Sequence, residues 1–396
     1  MKLRPKTTIE QHFSAIEDKR VERTKRHLLI DIITITLCAV IAGAETWDDI
    51  ELYGKCQYKW FKKFLKLPNG IPSHDTFNRV FAQLDPEQLQ DCFLNWVKSI
   101  SSLMPGEIVA IDGQTLRHSY DKSNGQSAIV MVSAWAQKNG LVLGQRKVDN
   151  KSNEITAIPQ LLKVLYLKGA IVTIEAMGCQ KDIVSQIVEK QADYVIALKK
   201  NQVGLYQRVD DLFKEALSSQ GIGYQYSEYI PEESGHGRTE IRSYQVLNNI
   251  PNLVDPDEQW KALNSVARVQ YLRTLKNGKT KLETRYFITS LSHKAQQLAQ
   301  SIRGHWSIEN QLHWVGDRAG TTSGSQAPTC IPQVLDVEFN EDDSRIRKDN
   351  APENLAIIRH IALNVLKQDK TEKGSIRSKR NRAGWDNNYL LKILTN

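Results

Sequence analysis

Three carboxylates stand where chemistry could be done. Asp112 ends the strand-like run EIVAID, Glu175 ends IVTIE, and Glu309 lies in IRGHWSIENQLHW, whose apolar residues recur at helical spacing. Four β-favouring residues leading into Glu175, with a turn built on Gly178 just after it, describe a buried strand that delivers an acid to the mouth of a sheet. Ionised carboxylates are hard oxygen donors, the kind Mg2+ takes. Two such ions about 4 Å apart activate the attacking oxygen at a phosphodiester and stabilise the leaving one. Three like charges in one place need cations to neutralise them. Residue type and spacing also leave a plainer reading open, in which each carboxylate is separately solvated or salt-bridged.

Other side chains bear on this choice. Arg303 and His305 fall within two helical turns of Glu309 and could hold a phosphate, or serve as ordinary cations of a helix surface. Asn310 either orients Glu309 or packs. Trp306 and Trp314 read as core residues before base-stacking ones. Asp336, Glu341 and Asp342 add acidity of a loop type, and the nine histidines show no zinc spacing with cysteine.

The elements that must position these groups follow from the rest of the chain. Its 396 residues exceed one small core, so two or three domains are expected. Lys and Arg number 53 against 45 Asp and Glu, a net charge of +8 that favours a polyanionic partner. Cys38, Cys56, Cys92, Cys179 and Cys330 are scattered and form no CxxC pair, which fits reduced thiols in a cytoplasmic protein. The start lacks an apolar signal core, and the run from Leu28 to Ala44 holds Asp31 and two threonines, so it reads as a buried helix and not a membrane span.

Residues 9–27 suggest a helix or arm whose basic cluster Lys19, Arg20, Arg23, Lys25, Arg26 either meets phosphates or faces solvent. Helices are expected from Thr46 to Leu65, capped by Thr46 and Asp48, after Ser73, and after Asp85-Pro86. This all-α region either packs as a support or binds DNA. From Glu107 the period changes to that of strands. EIVAID, AIVMVSAWAQ and LVLGQRKV are consecutive strands, with Asn139-Gly140 as a two-residue hairpin turn. A helix from Ala157 to Leu167 carries Pro159 in its first turn, and AIVTIE, a helix from Lys181 to Gln191, and DYVIAL follow. The order βββαβαβ gives an α/β layer fold and is also that of the ribonuclease-H-like fold. Residues 200–290 add a helical stretch to Leu217 and four β-type segments, the last pair turned at Asn277-Gly278. Residues 316–334 are loop-like in composition, a helix returns near Pro352 to Lys367, and the chain ends in a basic tail that suits phosphate contact or disorder.

A series of motifs, in order, narrows the field: AVIAGAETWDDIELYGK, LPNGIPSHDTFNRVFAQLDP, AIDGQTLRHSYD, VSAWAQKNGLVLGQRKVDNKSNEITAIPQLL, MGCQKDI, ADYVIALKKNQ, GHGRTEIR, HWSIENQLHWV and LDVEFNEDDSRIR. Together they resemble the H-repeat-associated DDE transposases of bacterial insertion sequences across nearly the whole chain. The resemblance implies a ribonuclease-H-like catalytic core with a β-rich insertion, preceded by an all-α region. The expected domains are a helical transposase-associated region 1–104, a catalytic domain 105–315 with its insertion at about 200–290, an unstructured insert 316–334, and a C-terminal helix and basic tail 335–396 that complete the catalytic domain. It implies Asp112, Glu175 and Glu309 as catalytic residues and ligands of Mg2+, with Mn2+ as the substitute. It also implies contact with DNA or the active site by His236, Arg238 and Arg242 of GHGRTEIR, which alternatively only pair across strands; Arg303 and His305 are further DNA-contact candidates through their closeness to Glu309. The expected partners are double-stranded DNA, as element ends and target, and further copies of the chain on that DNA. Water and then a 3′-hydroxyl attack phosphorus in line, with no covalent protein–DNA intermediate.

Two departures from the family pattern stand out. The second acid is an aspartate in the motif TIDAMGCQ, whereas this chain has Glu175 in TIEAMGCQ, its carboxylate roughly 1.5 Å further out. Mg2+ tolerates little deviation from octahedral geometry, and shifts near 1 Å cost on the order of 100-fold. HWV should also run directly into LDV, but Val315 and Leu335 are separated by residues 316–334. The expectation is a degraded or weakly active transposase. The alternatives are a catalytically inactive DNA-binding remnant and, third, a metal-dependent nuclease without strand transfer.

Overall fold

The computed structural model describes residues 6–101, 103–120, 125, 127–149, 152–219, 223–231, 240–248, 250, 253, 260–274, 280–292, 294–307 and 334–395. Six helices come first: α1 (Lys6–Phe13), α2 (Leu29–Ile41), α3 (Trp47–Cys56), α4 (Tyr58–Phe61), α5 (His74–Gln83) and α6 (Pro86–Ile100). The apolar run expected as a buried helix is α2, buried along nearly its whole length, and Asp31 within it accepts a hydrogen bond from the Leu67 amide at 2.9 Å. The expected helix from Thr46 to Leu65 is divided at Gln57, and Thr46 forms its capping box with Asp49, not Asp48. Asp85 caps α6 through the Glu87 amide, and Pro86 occupies the first helical position, where no amide donor is missed.

Next come strands β1 (Ile108–Leu116), β2 (Ile129–Ala136) and β3 (Leu141–Lys147), helix α7 (Glu154–Val164), strand β4 (Ile171–Ile174), helix α8 (Lys181–Glu189) and strand β5 (Asp193–Leu198). β1 to β3 are antiparallel, while β4 and β5 run parallel to β1. Helix α9 (Val203–Ser218) leads to β6 (Gln225–Tyr229), β7 (Glu240–Asn248), β8 (Ser265–Thr274) and β9 (Thr280–Thr289). These do not form a separate sheet. β9 pairs antiparallel with β5, giving nine strands in the order β3-β2-β1-β4-β5-β9-β8-β7-β6. The expected turn at Asn277-Gly278 lies outside the described residues.

Helix α10 (Ala295–Ser307) crosses one face of this sheet, and Ile302, Leu298 and Ala299 pack there with Ile171, Val195 and Val246. The other face belongs to the main core, which it shares with α7, α8 and the N-terminal helices. After α11 (Val334–Phe339), the 18-residue α12 (Ala351–Gln368) runs between α2, α5 and α6 on one side and β3 on the other. It is buried almost throughout, and α13 (Ile376–Trp385) and α14 (Asn387–Thr395) follow.

Asn364 of α12 caps the edge of the sheet. Its Oδ1 accepts from the Val142 amide and its Nδ2 donates to the Val142 carbonyl, both at 2.9 Å. The two bonds occupy the backbone groups that an edge strand otherwise leaves open for pairing. Asn364→Ala orphans both buried groups, and we expect a loss of about 2–3 kcal/mol, read from the urea midpoint.

Three local expectations are corrected. The β2–β3 connection is a four-residue turn, since Ala136 pairs with Leu141; Gly140 takes the positive φ. The fully buried Glu107 holds it, Oε1 accepting from the Lys138 and Asn139 amides at 2.7 and 3.2 Å. Helix α7 starts three residues earlier than expected because Asn153 caps it through the Ile155 amide, so Pro159 falls inside the helix and not in its first turn. The basic tail is not disordered, and part of its charge is buried, while Lys373 and Arg377 stay exposed. It folds into α13 and α14, with Lys379 donating to the Leu366 and Asp369 carbonyls and Arg380 donating to Val40 at 3.0 Å while lying over Phe339.

The acidic run after α11 is also structural. Glu341 and Arg359 form a buried ion pair at 3.4 Å, yet burial pushes the Glu341 carboxyl up to about 7 against the pull of Arg359. A folded-state value raised above the unfolded one contributes stability fully below the unfolded value, and that contribution is lost as pH rises through the folded one. We therefore expect the melting temperature to fall between pH 5 and pH 8 in part through this group. Glu341→Gln should flatten that slope, as comparison of the two proteins by thermal melting checks.

Candidate functional site

β1 and β4 are parallel and in register, with Ile111 opposite Ile174. Asp112 and Glu175 are the next residues on each. They stand level on neighbouring strands, about 4.8 Å apart in backbone terms, and point to the same face; Glu175 follows the end of β4, but Asp112 does not end its strand as expected, since β1 runs on in its pairing with β2 to Leu116. That face is the one α10 covers, and the closest approach is at Gly304, where a Cβ would come within 2.5 Å of Ile108 Cδ1. Asp112 is half-buried and accepts from the Gly113 amide at 2.9 Å, whereas Glu175 is exposed.

His305, on the last turn of α10, reaches the same mouth. Its Nδ1 lies 3.0 Å from the hydroxyl of Thr173, two residues before Glu175. Burial lowers the imidazole's proton affinity, the Glu175 charge opposes that, and the net shift is downward, so the ring is neutral near pH 7. Arg303 takes a different direction. It and Arg242 of β7 both act on the hydroxyl of Tyr244, which burial pushes up to about 12, and Arg242 lies over the Tyr271 ring. The side chains are thus divided: Asp112, Glu175 and His305 at the mouth, with Arg242 and Arg303 together over the β-rich part of the same sheet. Glu309, Asn310, His236, Arg238, Trp314, Cys330, the side chain of Trp306 and residues 316–333 lie outside what the structure describes.

The mouth opens into a cleft of about 450 Å³ lined by Glu175, Lys199, Lys200, Arg285, Tyr286 and His305. Lys199 and Lys200 are exposed and pair with no carboxylate among the described residues. The next two residues of the same motif brace the loop after Glu175. Asn201 donates to the Ala176 carbonyl at 2.7 Å and Gln202 to the Cys179 carbonyl at 2.9 Å. The backbone that carries Glu175 is therefore fixed by side chains from the end of β5. Periodicity gives no hint of this role, since the two amides follow a strand and belong to no pattern.

Glu154 is a second residue at the mouth that sequence reasoning misses. It opens α7 and comes to Gly113 from the opposite side of the sheet, so close that a Cβ on Gly113 would overlap its carboxyl, 2.2 Å from Oε1. Burial and, after it, the Glu175 charge raise the proton affinity of Glu154. The usable signal is Asn153, a good helix cap just before it.

No group of three His, Cys, Asp or Glu side chains among the described residues is placed to hold a metal ion. The donor chemistry at the mouth nevertheless suits a hard cation: two carboxylates on adjoining strands, one of them exposed, bring like charges together. No helix among the described residues is long and apolar enough to cross a membrane.

Comparison with known proteins shows the family to which the chain belongs. A family model described as "Transposase DDE domain" matches residues 104–323, and one described as "DDE_Tnp_1-associated" matches residues 10–97. Over 388 residues the chain is 40% identical to the H repeat-associated YhhI of Escherichia coli K12, covering 97% of each. Over 385 residues it is 40% identical to YncI of Escherichia coli O157:H7, covering 97% of this chain and 93% of that one. A stretch of 73 residues, 18% of this chain and 87% of the relative, is 44% identical to the inactive transposase YbfQ of Escherichia coli K12. All three relatives carry the word transposase in their names.

Proposed function

Because the chain belongs to the H-repeat-associated DDE transposases of bacterial insertion sequences, we propose that it binds the double-stranded ends of its element. On this reading it catalyses their metal-dependent cleavage and strand transfer, with several copies acting on paired ends. The observation that carries the reading is the level placement of Asp112 and Glu175 on adjoining parallel strands. The strand order β3-β2-β1-β4-β5, with only β2 antiparallel to its neighbours, supports a ribonuclease-H-like core into which β6 to β9 are inserted. Residues 1–104 are the associated helical region in this scheme, and 335–396 close the catalytic part.

Asp112 and Glu175, with Glu309 as the third ligand, would hold Mg2+ or Mn2+. Such ions, when bound, activate the attacking oxygen and offset charge on the leaving one. The chain's own residues do the positioning. Asn201 and Gln202 fix the loop behind Glu175. The neutral His305 keeps the floor beside it in place through Thr173 and adds no charge. Lys199 and Lys200 give the cleft two cations for a phosphodiester backbone. Lys199→Ala/Lys200→Ala is expected to weaken binding of nicked end DNA about tenfold and leave the melting temperature unchanged, as anisotropy titration and thermal melting check.

The test is an excision-and-joining assay with the DNA that flanks this gene as candidate ends. Joined products that need Mg2+ and vanish in chelator support the reading. Duplex binding without products, under any divalent metal, favours a binding-only remnant, a second reading motivated by the longer Glu175 and by residues 316–334. Cutting without preference for the ends points to a nuclease.

A further inference from the structure

We propose that the segment Arg345–Lys348 is a binding surface for the phosphate backbone of duplex DNA. This deepens the reading above and rests on it. Three cations in four residues, Arg345, Arg347 and Lys348, line an open cleft of about 400 Å³ that Trp47 and Asn78 close from the N-terminal helices. Arg345 and Lys348 are exposed and have no ion-pair partner among the described residues. Asp349 is the one carboxylate among the described residues that line the cleft, set against three cations.

Two of the chain's other basic runs are partly engaged, although Arg23 and Arg26 in the first and Lys373 and Arg377 in the second stay exposed. In the N-terminal cluster, Lys19, Arg20 and Lys25 are spent on Asp85, Asp18 and Glu22. In the tail, Lys379 and Arg380 are buried, and Arg382 pairs with Glu372 and lies over Tyr389. Arg345 and Lys348 are exposed on one cleft, which they line with Arg347.

The surface is also rigidly tied to the strand that bears Asp112. Arg347 Nε donates to the His118 carbonyl at 2.9 Å, and its guanidinium lies over Tyr120. Arg117 pairs with Asp342 at 3.1 Å, and the His118 imidazole bonds the Asp342 carbonyl. Arg117, which ties this segment to β1 through Asp342, is five residues beyond Asp112 in sequence, roughly 16 Å along the strand direction. A duplex whose phosphodiester enters the mouth would lay further phosphates across this cleft, since duplex charge repeats every ~1.7 Å of axis.

The experiment is anisotropy titration of a fluorescent duplex across a salt series. It compares the unaltered protein, Arg345→Ala/Lys348→Ala, and the control Arg23→Ala/Arg26→Ala, which removes two exposed cations elsewhere. The first variant is expected to bind at least tenfold more weakly at about 0.1 M salt. Its log–log salt slope should fall by about two, near 0.9 for each phosphate the protein no longer neutralises. The control should keep the slope. If both variants match the unaltered protein, the surface is wrong while the transposase reading stands. If both weaken alike, the effect is net charge and the surface is again wrong. If the unaltered protein binds no duplex at any salt, both the reading and the surface fall. Thermal melting confirms that each variant is folded.

Discussion

Asp112→Asn is expected to abolish metal-dependent joining of element ends while leaving the protein folded. The change keeps the size of the side chain and an oxygen to accept from the Gly113 amide, but it removes the charge. Ions at such sites supply several kcal/mol of transition-state stabilisation, and losing about 4 kcal/mol is on the order of 1,000-fold in rate. Stability should hold or rise slightly, because Asp112 stands level with Glu175 and their charges repel. A second readout separates chemistry from folding: stabilisation of the unaltered protein by millimolar Mn2+ in thermal melting, which the variant should lack. Full joining by Asp112→Asn, with the metal shift intact, would remove Asp112 from the machinery.

The second large effect runs the other way. Glu175→Asp should raise joining activity about 100-fold, and Glu175→Ala should abolish it. The outcome turns on what is free to move. The residues after Glu175 form a 3-10 turn, Ala176–Gly178, whose carbonyls are held by Asn201 and, one residue on, Gln202. The backbone cannot follow the side chain, so shortening it by one methylene draws the carboxylate back by roughly 1.5 Å. Misplacement on that scale costs on the order of 100-fold. Single-turnover joining with pre-cut ends measures the chemical step directly. Lower activity in Glu175→Asp than in the unaltered protein would mean that the site has adjusted to glutamate. Deleting 316–334 in the same background then separates the contribution of that segment.

How much of this is legible in the sequence depends on where the information lies. β4, β5 and the first half of β1 are apolar runs followed by polar residues, and their type is readable because both faces of a central strand are buried, whereas the polar half of β1 up to Leu116 is not. With β1 and β4 parallel and in register, the acids that follow Ile111 and Ile174 have to meet. The hairpin at Asn139-Gly140 misleads because local turn chemistry is overridden by Glu107, 32 residues from Asn139, whose carboxylate holds two amides of a longer turn. The tail misleads for a related reason. Charge composition reports solvation only on average, and Lys379 and Arg380 bury their heads against carbonyls and an aromatic ring. Lys199, Lys200 and Glu154 are invisible as site residues, since only the sheet's crossover order brings a strand end, a helix start and β4 to one place. The division of Arg303 from His305 follows from helix geometry: two residues apart on α10 is about 200° around the axis.

The position of α12 has a consequence for how the chain is made. This helix fills the space between α2, α5, α6 and the sheet edge, so the layer built by the first hundred residues is completed by one of the last. About 310 residues separate the end of α2 at Ile41 from the start of α12 at Ala351. At about 5–20 residues per second, a ribosome leaves the apolar flank of α2 without its partner for roughly 15–60 s. Every copy therefore passes through a long interval in which a sticky helix waits for its lid. A transcript cut short before Ala351 never ends that interval, so its product is expected to go to chaperones and proteases and not to persist as a smaller working piece.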